Sequence, residues 1–472
     1  MITASFLQDP NFIRSAYILA FALFIVGLMG LRHPRSAVRG NWIAAVGMGI
    51  AVVATLLIHG MGNWGLIALG IALGTVIGVP AARTVKMTAM PQMVALFNGV
   101  GGGAIALIAW VEFRESHGFD GDPLYIAIAS LFAAIVGSVS FWGSNIAFGK
   151  LQEILPGRPI TLGRAQQAVN AALLLACIAC GVAIATGSDS ELLMIGLLVA
   201  AALLGNFVVL PIGGADLPVV ISLLNAFTGL SAAAAGIALN NTAMIVAGML
   251  VGASGSILTK LMADAMNRSI PNIVAGGFGG GGAVPGGGGA ADLEGKTVKS
   301  TTAADTAIQL SYARQVVIVP GYGMAVAQAQ HAVRELAKEL EKRGIEVKYA
   351  IHPVAGRMPG HMNVLLAEAD VPYDQLKEMD EINPEFSRTD VSLVIGANDV
   401  TNPAANTNPE SPIYGMPILN VNESESVIVI KRSMNPGFAG IDNELYYDEG
   451  TQMLFGDAKT AVAEITEEVK GL

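Results

Sequence analysis

The sequence predicts a multi-span α-helical membrane domain followed by an α/β Rossmann-like domain with a parallel sheet. Of its 472 residues, 53% are apolar and 14% are charged, whereas soluble domains carry about 25% charged residues. Mean hydropathy is +0.56. The charge is uneven: residues 1–270 hold 12 Lys and Arg against 10 Asp and Glu, which leaves 15 against 27 for residues 271–472. A total of −10 argues against a nucleic-acid partner, because such a partner requires a basic face.

Nine stretches are long and apolar enough to cross a bilayer, for which a helix needs about 20 mostly apolar residues. The stretches are 12–31, 41–59, 64–82, 88–111, 122–148, 166–186, 190–211, 217–238 and 242–264. We therefore expect about nine membrane helices, with the lipid bilayer as a partner of the chain.

The basic residues between these stretches predict the orientation of the helices. If the helices alternate in direction, ten Lys and Arg fall on one side of the membrane and only Arg14 and Arg114 on the other. The ten are Arg32, Arg35, Arg39, Arg83, Lys86, Lys150, Arg158, Arg164, Lys260 and Arg268. Because basic loops stay in the cytoplasm, we expect the amino terminus outside and the carboxy-terminal domain inside.

Five polar residues in or beside the spans are candidates for function, because polar groups are unfavourable in lipid and are often retained for a purpose. Asn98 lies in LFNGVGGG, Asn225 in ISLLNAFTG, and Ser254 and Ser256 in VGASGSILT, while Asp216 is expected at a cytoplasmic end. Alternatives remain open, since asparagine also forms hydrogen bonds between helices and serine is a small packing residue.

No metal site is expected. None of the six histidines falls in the middle of a span, so no pair of them can ligate a membrane haem. Cys177 and Cys180, the only cysteines, lie within one span, where they are better explained as small packing residues than as a redox or zinc pair. Two cysteines also exclude a disulfide framework.

A glycine-rich run marks the junction between the two parts. Residues 275–290 read AGGFGGGGAVPGGGGA, which cannot bury a core and behaves as a flexible coil. We therefore divide the chain into a transmembrane domain (1–270), a linker (271–292) and a soluble domain (293–472). The linker is either a passive spacer or a swivel for the soluble domain.

From about residue 305 the pattern alternates strands and helices, which predicts a parallel sheet covered on both faces. The strand runs are QVVIVP (315–320), EVKYAI (346–351), VSLVIGA (391–397) and VIVIKRS (427–433). Helices are expected from the first strand to about 343, near 360–369 and near 457–470.

The first strand leads into a dinucleotide fingerprint of the form G-x-G-x-x-A/V. Gly321, Tyr322, Gly323 and Val326 follow the strand and open a helix, which is the context that this motif requires. Glycine permits the tight turn and lets the backbone approach a pyrophosphate at the positive helix end. A dinucleotide site is predicted, with a ligand-free turn of the same fold as the alternative.

Two features favour NADP(H) over NAD(H). The second strand ends in His352 rather than in the carboxylate that would hold a ribose 2′-hydroxyl and repel a 2′-phosphate. Lys431, Arg432 and Ser433 follow the last strand run, and two cations with a hydroxyl suit a phosphate dianion. A solvated strand end is the alternative for this triplet.

Further candidates lie in the loops after the EVKYAI and VSLVIGA strands. Arg357, in HPVAGRMPGH, suits either a pyrophosphate contact or a loop ion pair. Gly396, Asn398 and Asp399 lie where the switch-point crevice of such folds binds ligand, although the last two also suit an Asx turn. None of these is a nucleophile, and hydride transfer needs none because the cofactor carries the chemistry.

Several long segments resemble one family over essentially the whole chain. They are IGGADLPVVISLLNAFTG, AMNRS, AGGFG, PGYGMAVAQAQ, IHPVAGRMPGHMNVLLAEA, MDEIN, VIGANDV, KRSMN and MLFGDAK. With these segments the chain resembles the beta subunits of proton-translocating NAD(P) transhydrogenases.

The resemblance implies an Si-Re (AB-specific) transhydrogenase of the bacterial cytoplasmic (inner) membrane. Hydride would pass from NADH on an alpha subunit to NADP+ on this chain, coupled to proton translocation into the cytoplasm, in a dimer of such protomers. The resemblance places Gly321, Gly323 and Val326 at the pyrophosphate, the Lys431–Ser433 triplet at the 2′-phosphate, and Asn398 and Asp399 near the nicotinamide. It links Asp216, Asn225, Ser254, Ser256 and Arg268 to proton transfer and domain coupling.

Two positions depart from the family pattern. Asn98 stands where some members carry a membrane histidine, and asparagine cannot titrate, so a water chain or a histidine of the partner subunit would carry the proton. Phe438 stands where a tyrosine is often found.

An NADP(H)-regulated secondary transporter or channel without redox chemistry is the alternative function. A membrane electron-transfer reductase is disfavoured, because the sequence has neither haem ligands nor a flavin signature.

Overall fold

The computed structural model describes residues 7–31, 34–86, 89–156, 159–213, 216–266, 269–271, 273, 297–357, 360–409, 411, 413–437 and 439–472. Arg268, Phe438 and nearly all of the predicted linker (271–292) lie outside the described residues. The chain forms two compact units. One comprises Met1–Leu155, Leu162–Leu210 and Ile221–Ile257, and the other Pro156–Thr161, Pro211–Val220 and Leu258–Leu472.

Within the described residues, nine helices are long and apolar enough to cross a membrane, which confirms the predicted helical membrane domain. They are α1 (Pro10–Gly30), α2 (Pro34–Leu56), α3 (Trp64–Thr84), α4 (Met90–Glu115), α5 (Leu124–Leu151), α6 (Gln166–Ala185), α7 (Glu191–Val209), α8 (Leu217–Ala238) and α9 (Thr242–Ala265). Helix α2 begins before the predicted residue 41, because Pro34 is favourable in a first helical turn, where its missing N–H has no partner to lose.

Glycines allow the membrane helices to approach one another closely. A Cβ atom on Gly102 of α4 would lie 2.8 Å from the carbonyl oxygen of Gly137 on α5. A Cβ atom on Gly229 of α8 would lie 2.5 Å from the backbone nitrogen of Gly252 on α9. Small residues at such contacts are how helices pack in lipid, where no hydrophobic force drives them together. The glycines at these contacts therefore serve helix packing.

The second unit contains a six-stranded parallel sheet in the order β3-β2-β1-β4-β5-β6 among its described residues, which confirms the predicted α/β class. The strands are β1 (Gln315–Pro320), β2 (Glu346–Ile351), β3 (Leu376–Glu378), β4 (Val391–Ile395), β5 (Ser426–Lys431) and β6 (Thr451–Phe455). Every residue of β1 and β4 is buried, as expected for a sheet covered on both faces.

Helices surround this sheet. They are α10 (Ala303–Tyr312), α11 (Tyr322–Val326), α12 (Gln330–Lys342), α13 (His361–Glu368), the short α14 (Met379–Ile382) and α15 (Ala404–Thr407), and α16 (Ala458–Gly471). Helices α10 and α12 both pack against α16.

The single helix predicted between β1 and residue 343 is wrong, because the chain forms two helices there. Helix α11 ends at Val326, and Gln328 adopts a left-handed φ of 50° before α12 begins at Gln330. The backbone N–H of Ala329 donates to the carbonyl of Met324 at 3.0 Å, which closes the turn between them. A left-handed residue cannot continue a right-handed helix.

Candidate functional site

The sheet order creates a crevice at the carboxyl end of its two central strands. From β1 the chain proceeds to β2 and β3 on one side, and from β4 it proceeds to β5 and β6 on the other. The loops after β1 and β4 therefore lead in opposite directions. Dinucleotides bind at such a switch point in doubly wound folds, and the same strand order is typical of them.

Three glycines from the two central loops contact one another backbone to backbone. Gly321 N–H donates to the carbonyl of Ile395 at 2.9 Å, and Gly323 N–H donates to the carbonyl of Gly396 at 3.0 Å. Gly396 has a φ of 67°, and a Cβ atom on it would overlap the Cα atom of Gly323. These glycines close the base of the crevice. Their contact with a pyrophosphate stays a prediction.

Tyr322 connects the glycine turn to the loop after β2. The guanidinium carbon of Arg357 lies 4.2 Å from the centre of the Tyr322 ring, a cation–π contact. Arg357 is buried, while Val326, the last residue of the fingerprint, is exposed. The predicted residues Tyr322 and Arg357 are thus neighbours, whereas Val326 faces away from the core.

The loop after β5 packs onto the residues that follow β4. Ala439 N–H donates to Asp399 Oδ2 at 3.0 Å, and a Cβ atom on Gly437 would lie 2.6 Å from Asp399 Oδ1. With the Asn398 amide oriented to satisfy its neighbours, its oxygen accepts from Gly437 N–H at 2.7 Å and from Lys431 Nζ at 3.3 Å. Asn398 and Asp399 therefore hold the loop that begins with the cationic triplet.

The triplet itself lies at the carboxyl end of β5, on the same edge as the glycine turn. Arg432 and Ser433 are exposed, whereas Lys431 is half-buried and donates to the carbonyl of Asn435 at 2.6 Å. Burial lowers the pKa of Lys431, and the carboxylates of Asp399 and Asp442 oppose that shift. Arg432 and Ser433 are thus open to solvent, whereas the Lys431 ammonium is held by the loop and lies 4.8 Å from the centre of the Tyr446 ring.

The end of β2 carries a neutral imidazole. His352 is buried, its Nε2 lies 2.8 Å from the carbonyl oxygen of Pro417, and its Nδ1 accepts from Val354 N–H at 3.2 Å. Since Nδ1 accepts, the proton lies on Nε2, which donates to Pro417. Burial lowers the pKa of His352 to about 4, so this strand end carries no charge near neutral pH.

In the membrane unit, Asn98 belongs to an array of polar side chains on three helices. Its Nδ2 donates to Ser144 Oγ at 2.9 Å and to Ser140 Oγ at 3.3 Å, both on α5. Ser140 Oγ lies 2.5 Å from Thr228 Oγ1 on α8. Thr228 Oγ1 also donates to the carbonyl of Leu224 at 3.0 Å. The array therefore connects α4, α5 and α8.

Three members of this array, Ser140, Ser144 and Thr228, are not among the residues predicted from the sequence. Their signal is present in the segment SVSFWGSN, where Ser140 and Ser144 are four residues apart and so share one face of a helix inside an apolar span. The partner on α8 could not be identified in this way, because it depends on how the helices pack.

The other predicted membrane residues do not join this array. Asn225 is half-buried on α8, and no hydrogen bond links its amide to the array among the described residues. Ser254 and Ser256 are exposed on α9 and donate to carbonyls of their own helix, those of Val251 at 3.2 Å and Gly252 at 2.7 Å. Asp216 is half-buried and immediately precedes α8.

Comparisons with known proteins give one result throughout. A family described as the NAD(P) transhydrogenase beta subunit matches residues 13–468. NAD(P) transhydrogenase subunit beta of Rhodospirillum rubrum is 50% identical over 459 residues, covering 96% of this chain and 98% of the relative. A second sequence with the same description, from a named strain of that species, has the same identity and coverage.

Proposed function

This chain belongs to the NAD(P) transhydrogenase beta subunit family, and from that premise we propose that it binds NADP(H) in the crevice of its parallel sheet. We further propose that it receives a hydride there from NADH held by an alpha subunit, with coupled proton translocation. Within this proposal residues 1–270 form the transmembrane domain, 271–292 the linker and 293–472 the nucleotide-binding domain.

The observation that carries the proposal is the cationic triplet at the carboxyl end of β5. Lys431, Arg432 and Ser433 lie on the edge that the glycine turn also occupies, and two of the three are exposed. Their donor chemistry matches a phosphate dianion. The end of β2 carries His352 and not the carboxylate that holds the ribose 2′-hydroxyl of NAD(H) in folds of this kind. The residues of the site therefore fit NADP(H) better than NAD(H).

The place of the triplet also supports a direction for the nucleotide. In the usual dinucleotide-binding fold, a residue at the end of β2 holds the adenosine ribose, so the adenosine half lies on that side of the crevice. Lys431 ends β5, which is separated from β2 by β4 and β1. A 2′-phosphate at β5 puts the adenosine half over β4 and β5 and the nicotinamide half over β1 and β2. Asn398 and Asp399 then lie nearer the adenosine half, whereas the resemblance implies a position near the nicotinamide.

The contribution of this chain to the reaction is binding and orientation. The bound dinucleotide supplies the ring that accepts the hydride. Gly321, Gly323 and Gly396 close the base of the crevice, and the triplet would anchor the phosphate end. Asn398 and Asp399 hold the loop after β5, so a shift of that loop would alter both the phosphate contacts and access to the crevice.

Coupling to protons follows from energetics. The two nicotinamides have nearly equal driving force, so a proton gradient contributes through a difference in nucleotide binding between conformations. In the membrane unit, Asn98, Ser140 and Thr228 form a hydrogen-bonded array that would order a proton route. None of the three titrates near neutral pH, so we propose that a chain of water molecules or a histidine of the alpha subunit carries the proton.

The surroundings of the chain follow from the same premise. We propose an Si-Re (AB-specific) enzyme in the bacterial cytoplasmic membrane, assembled with one or more alpha subunits as a dimer of protomers. The amino terminus would lie outside, the α/β domain inside, and protons would enter the cytoplasm as NADP+ is reduced. Asp216, Asn225, Ser254, Ser256 and Arg268 stay candidates for the coupling between the membrane and the nucleotide.

Two measurements on the full chain test the proposal. Calorimetric titration in detergent should show NADP+ binding more tightly than NAD+ by at least about tenfold, the effect of one charge-assisted phosphate contact. Vesicles that contain this chain and the alpha subunit should reduce an NADP+ analogue with NADH and should change their internal pH. Binding without reduction of the analogue would instead favour the NADP(H)-regulated transporter.

A further inference from the structure

One buried imidazole holds the loop that follows β2. His361 is the first residue of α13 and has no exposed surface. Its Nδ1 accepts a hydrogen bond from the backbone N–H of Arg357 at 3.0 Å. Gly356 packs against the same ring, with a φ of 107°, and a Cβ atom there would lie 2.5 Å from His361 Nδ1. The backbone of Gly356 and Arg357 therefore packs closely against the imidazole.

The same ring lies beside the glycine turn. The centres of the His361 and Tyr322 rings are 6.2 Å apart, and the Arg357 guanidinium stands over the Tyr322 ring. His361 thus contacts the loop after β1 through an aromatic ring and the loop after β2 through a backbone N–H. Both loops begin at the carboxyl edge of the sheet, where the nucleotide is proposed to bind.

The ring offers the fold only one polar contact. Nδ1 has its partner in Arg357 N–H, whereas Nε2 is buried without a hydrogen-bond partner among the described residues. Burial, and secondarily the charge of Arg357, lowers the pKa of His361 to about 4, so the ring is neutral and Nε2 bears the hydrogen. A buried donor without a partner is unfavourable. The feature that accounts for a polar ring at this position is therefore the acceptor at Nδ1.

We infer that His361 is a positioning residue for NADP(H): its Nδ1 fixes the backbone of Arg357, so that the guanidinium is held over Tyr322 at the rim of the crevice for contact with the pyrophosphate. This inference rests on the proposed nucleotide site and deepens it. His361 acts through Arg357 and need not touch the nucleotide.

A matched pair of amides separates this role from a structural one. In His361→Asn the side-chain oxygen occupies the position of Nδ1 and can still accept from Arg357 N–H. In His361→Gln the polar atoms lie farther out, near the position of Nε2, and that acceptor is lost. Both variants are neutral and polar, so only the acceptor position distinguishes them.

The experiment is calorimetric titration of the full chain in detergent with NADP+. We expect His361→Gln to weaken binding about tenfold, the scale of one lost hydrogen bond, and His361→Asn to remain within about twofold of the wild type. In an Arg357→Ala background, His361→Gln should have no further effect, because residues that act through one another are not additive.

The outcomes are distinguishable. Equal weakening by Asn and Gln, an additive effect in the Arg357→Ala background, or a Gln variant that unfolds while Asn folds would each overturn the positioning role. Failure of the proposed function looks different, since the wild type would then bind NADP+ and NAD+ equally.

Discussion

The amide of Asn98 on α4 donates to the hydroxyl of Ser144 on α5 at 2.9 Å, so two helices share a polar contact inside their apolar spans. The contact continues through Ser140 to Thr228 on α8. In lipid, polar atoms are favourable only when they are paired, and every member of this array has a partner. The array therefore stabilises the packing of three helices and offers a continuous set of exchangeable protons.

Asn98→Leu should slow proton-linked hydride transfer. The substitution removes the only member of the array on α4, so proton-linked turnover in vesicles with the alpha subunit should fall at least about tenfold. Asn145→Leu is the matched control, because Asn145 donates to Phe141 in its own helix at 2.9 Å. Equal loss in both variants would mean that any asparagine substitution in these helices disturbs packing, and would contradict a role in the route.

Asn225→Leu tests the other asparagine that the sequence indicated. Asn225 lies on α8, one turn before Thr228, and is half-buried. If protonation near Asn225 changes the affinity for NADP(H), the substitution should lower proton-linked turnover about tenfold. NADP+ binding to the full chain, measured at one fixed pH, should stay intact. Vesicles that pump protons at the wild-type rate would contradict a role of Asn225 in proton coupling.

Arg432→Ala should relax the preference for NADP+. Arg432 is exposed at the end of β5, and loss of one charge-assisted contact should weaken NADP+ binding about tenfold and leave NAD+ unchanged. Lys338→Ala, an exposed cation on α12, is the control for net charge. Titration of each variant with both nucleotides is the measurement. A parallel loss for NADP+ and NAD+ would place the arginine away from the 2′-phosphate.

The sequence predicted the central strands well, because β1, β4 and β5 are runs of valine and isoleucine buried on both faces. It did not reveal β3 and β6. Strand β3 is the three residues Leu376–Glu378 at the sheet edge, of which two are half-buried and Glu378 is exposed, and β6 has only Thr451 as a β-branched residue. Both form because a neighbouring strand offers hydrogen bonds, which is a tertiary effect.

The site shows the same division between local and tertiary information. The glycine turn and the Lys431–Ser433 triplet have local signatures, so the sequence indicated them. Ser140 and Thr228 are 88 residues apart and come together because α5 and α8 pack against each other. His361 and Arg357 are only four residues apart, but no motif in that segment predicts that the imidazole accepts the Arg357 N–H. The left-handed Gln328 lies among good helix formers and has no local signal. The contact between Ser140 and Thr228 depends on helix packing and cannot be predicted from either segment alone.

Gly396→Ala should disrupt the crevice far more than an equivalent change elsewhere. Gly396 has a φ of 67°, and its added methyl group would overlap Gly323. Gly344→Ala is the control, because Gly344 has a φ of 83° with nothing near its Cβ position. The control should lose about 1–2 kcal/mol from left-handed strain. Gly396→Ala should lose more and should also lose NADP+ binding, as calorimetric unfolding and titration would show. Similar losses in both would contradict the close contact.

Acid should destabilise the α/β unit through His352. Its folded-state pKa is lowered from 6.5 to about 4 by burial, so between these values the unfolded chain binds a proton that the folded chain does not. The contribution of His352 to stability is therefore unaffected above pH 6.5, falls as the pH drops towards 4, and changes no further below it. The slope is at most about 1.4 kcal/mol per pH unit for one group.

His352→Gln should flatten this acid-sensitive part of the unfolding profile, since an amide can donate to the Pro417 carbonyl and does not titrate. His331→Gln, a change at an exposed position of α12, is the control. Calorimetric unfolding of the full chain between pH 7 and pH 4 provides the measurement. His361 is buried with the same direction of pKa shift, so some slope should persist in His352→Gln and become smaller with His361→Asn added. Glu385 and Asp390, whose pKa values are lowered in the fold, contribute the remaining slope near pH 4. An unchanged slope in the double variant would show that other groups control the acid response.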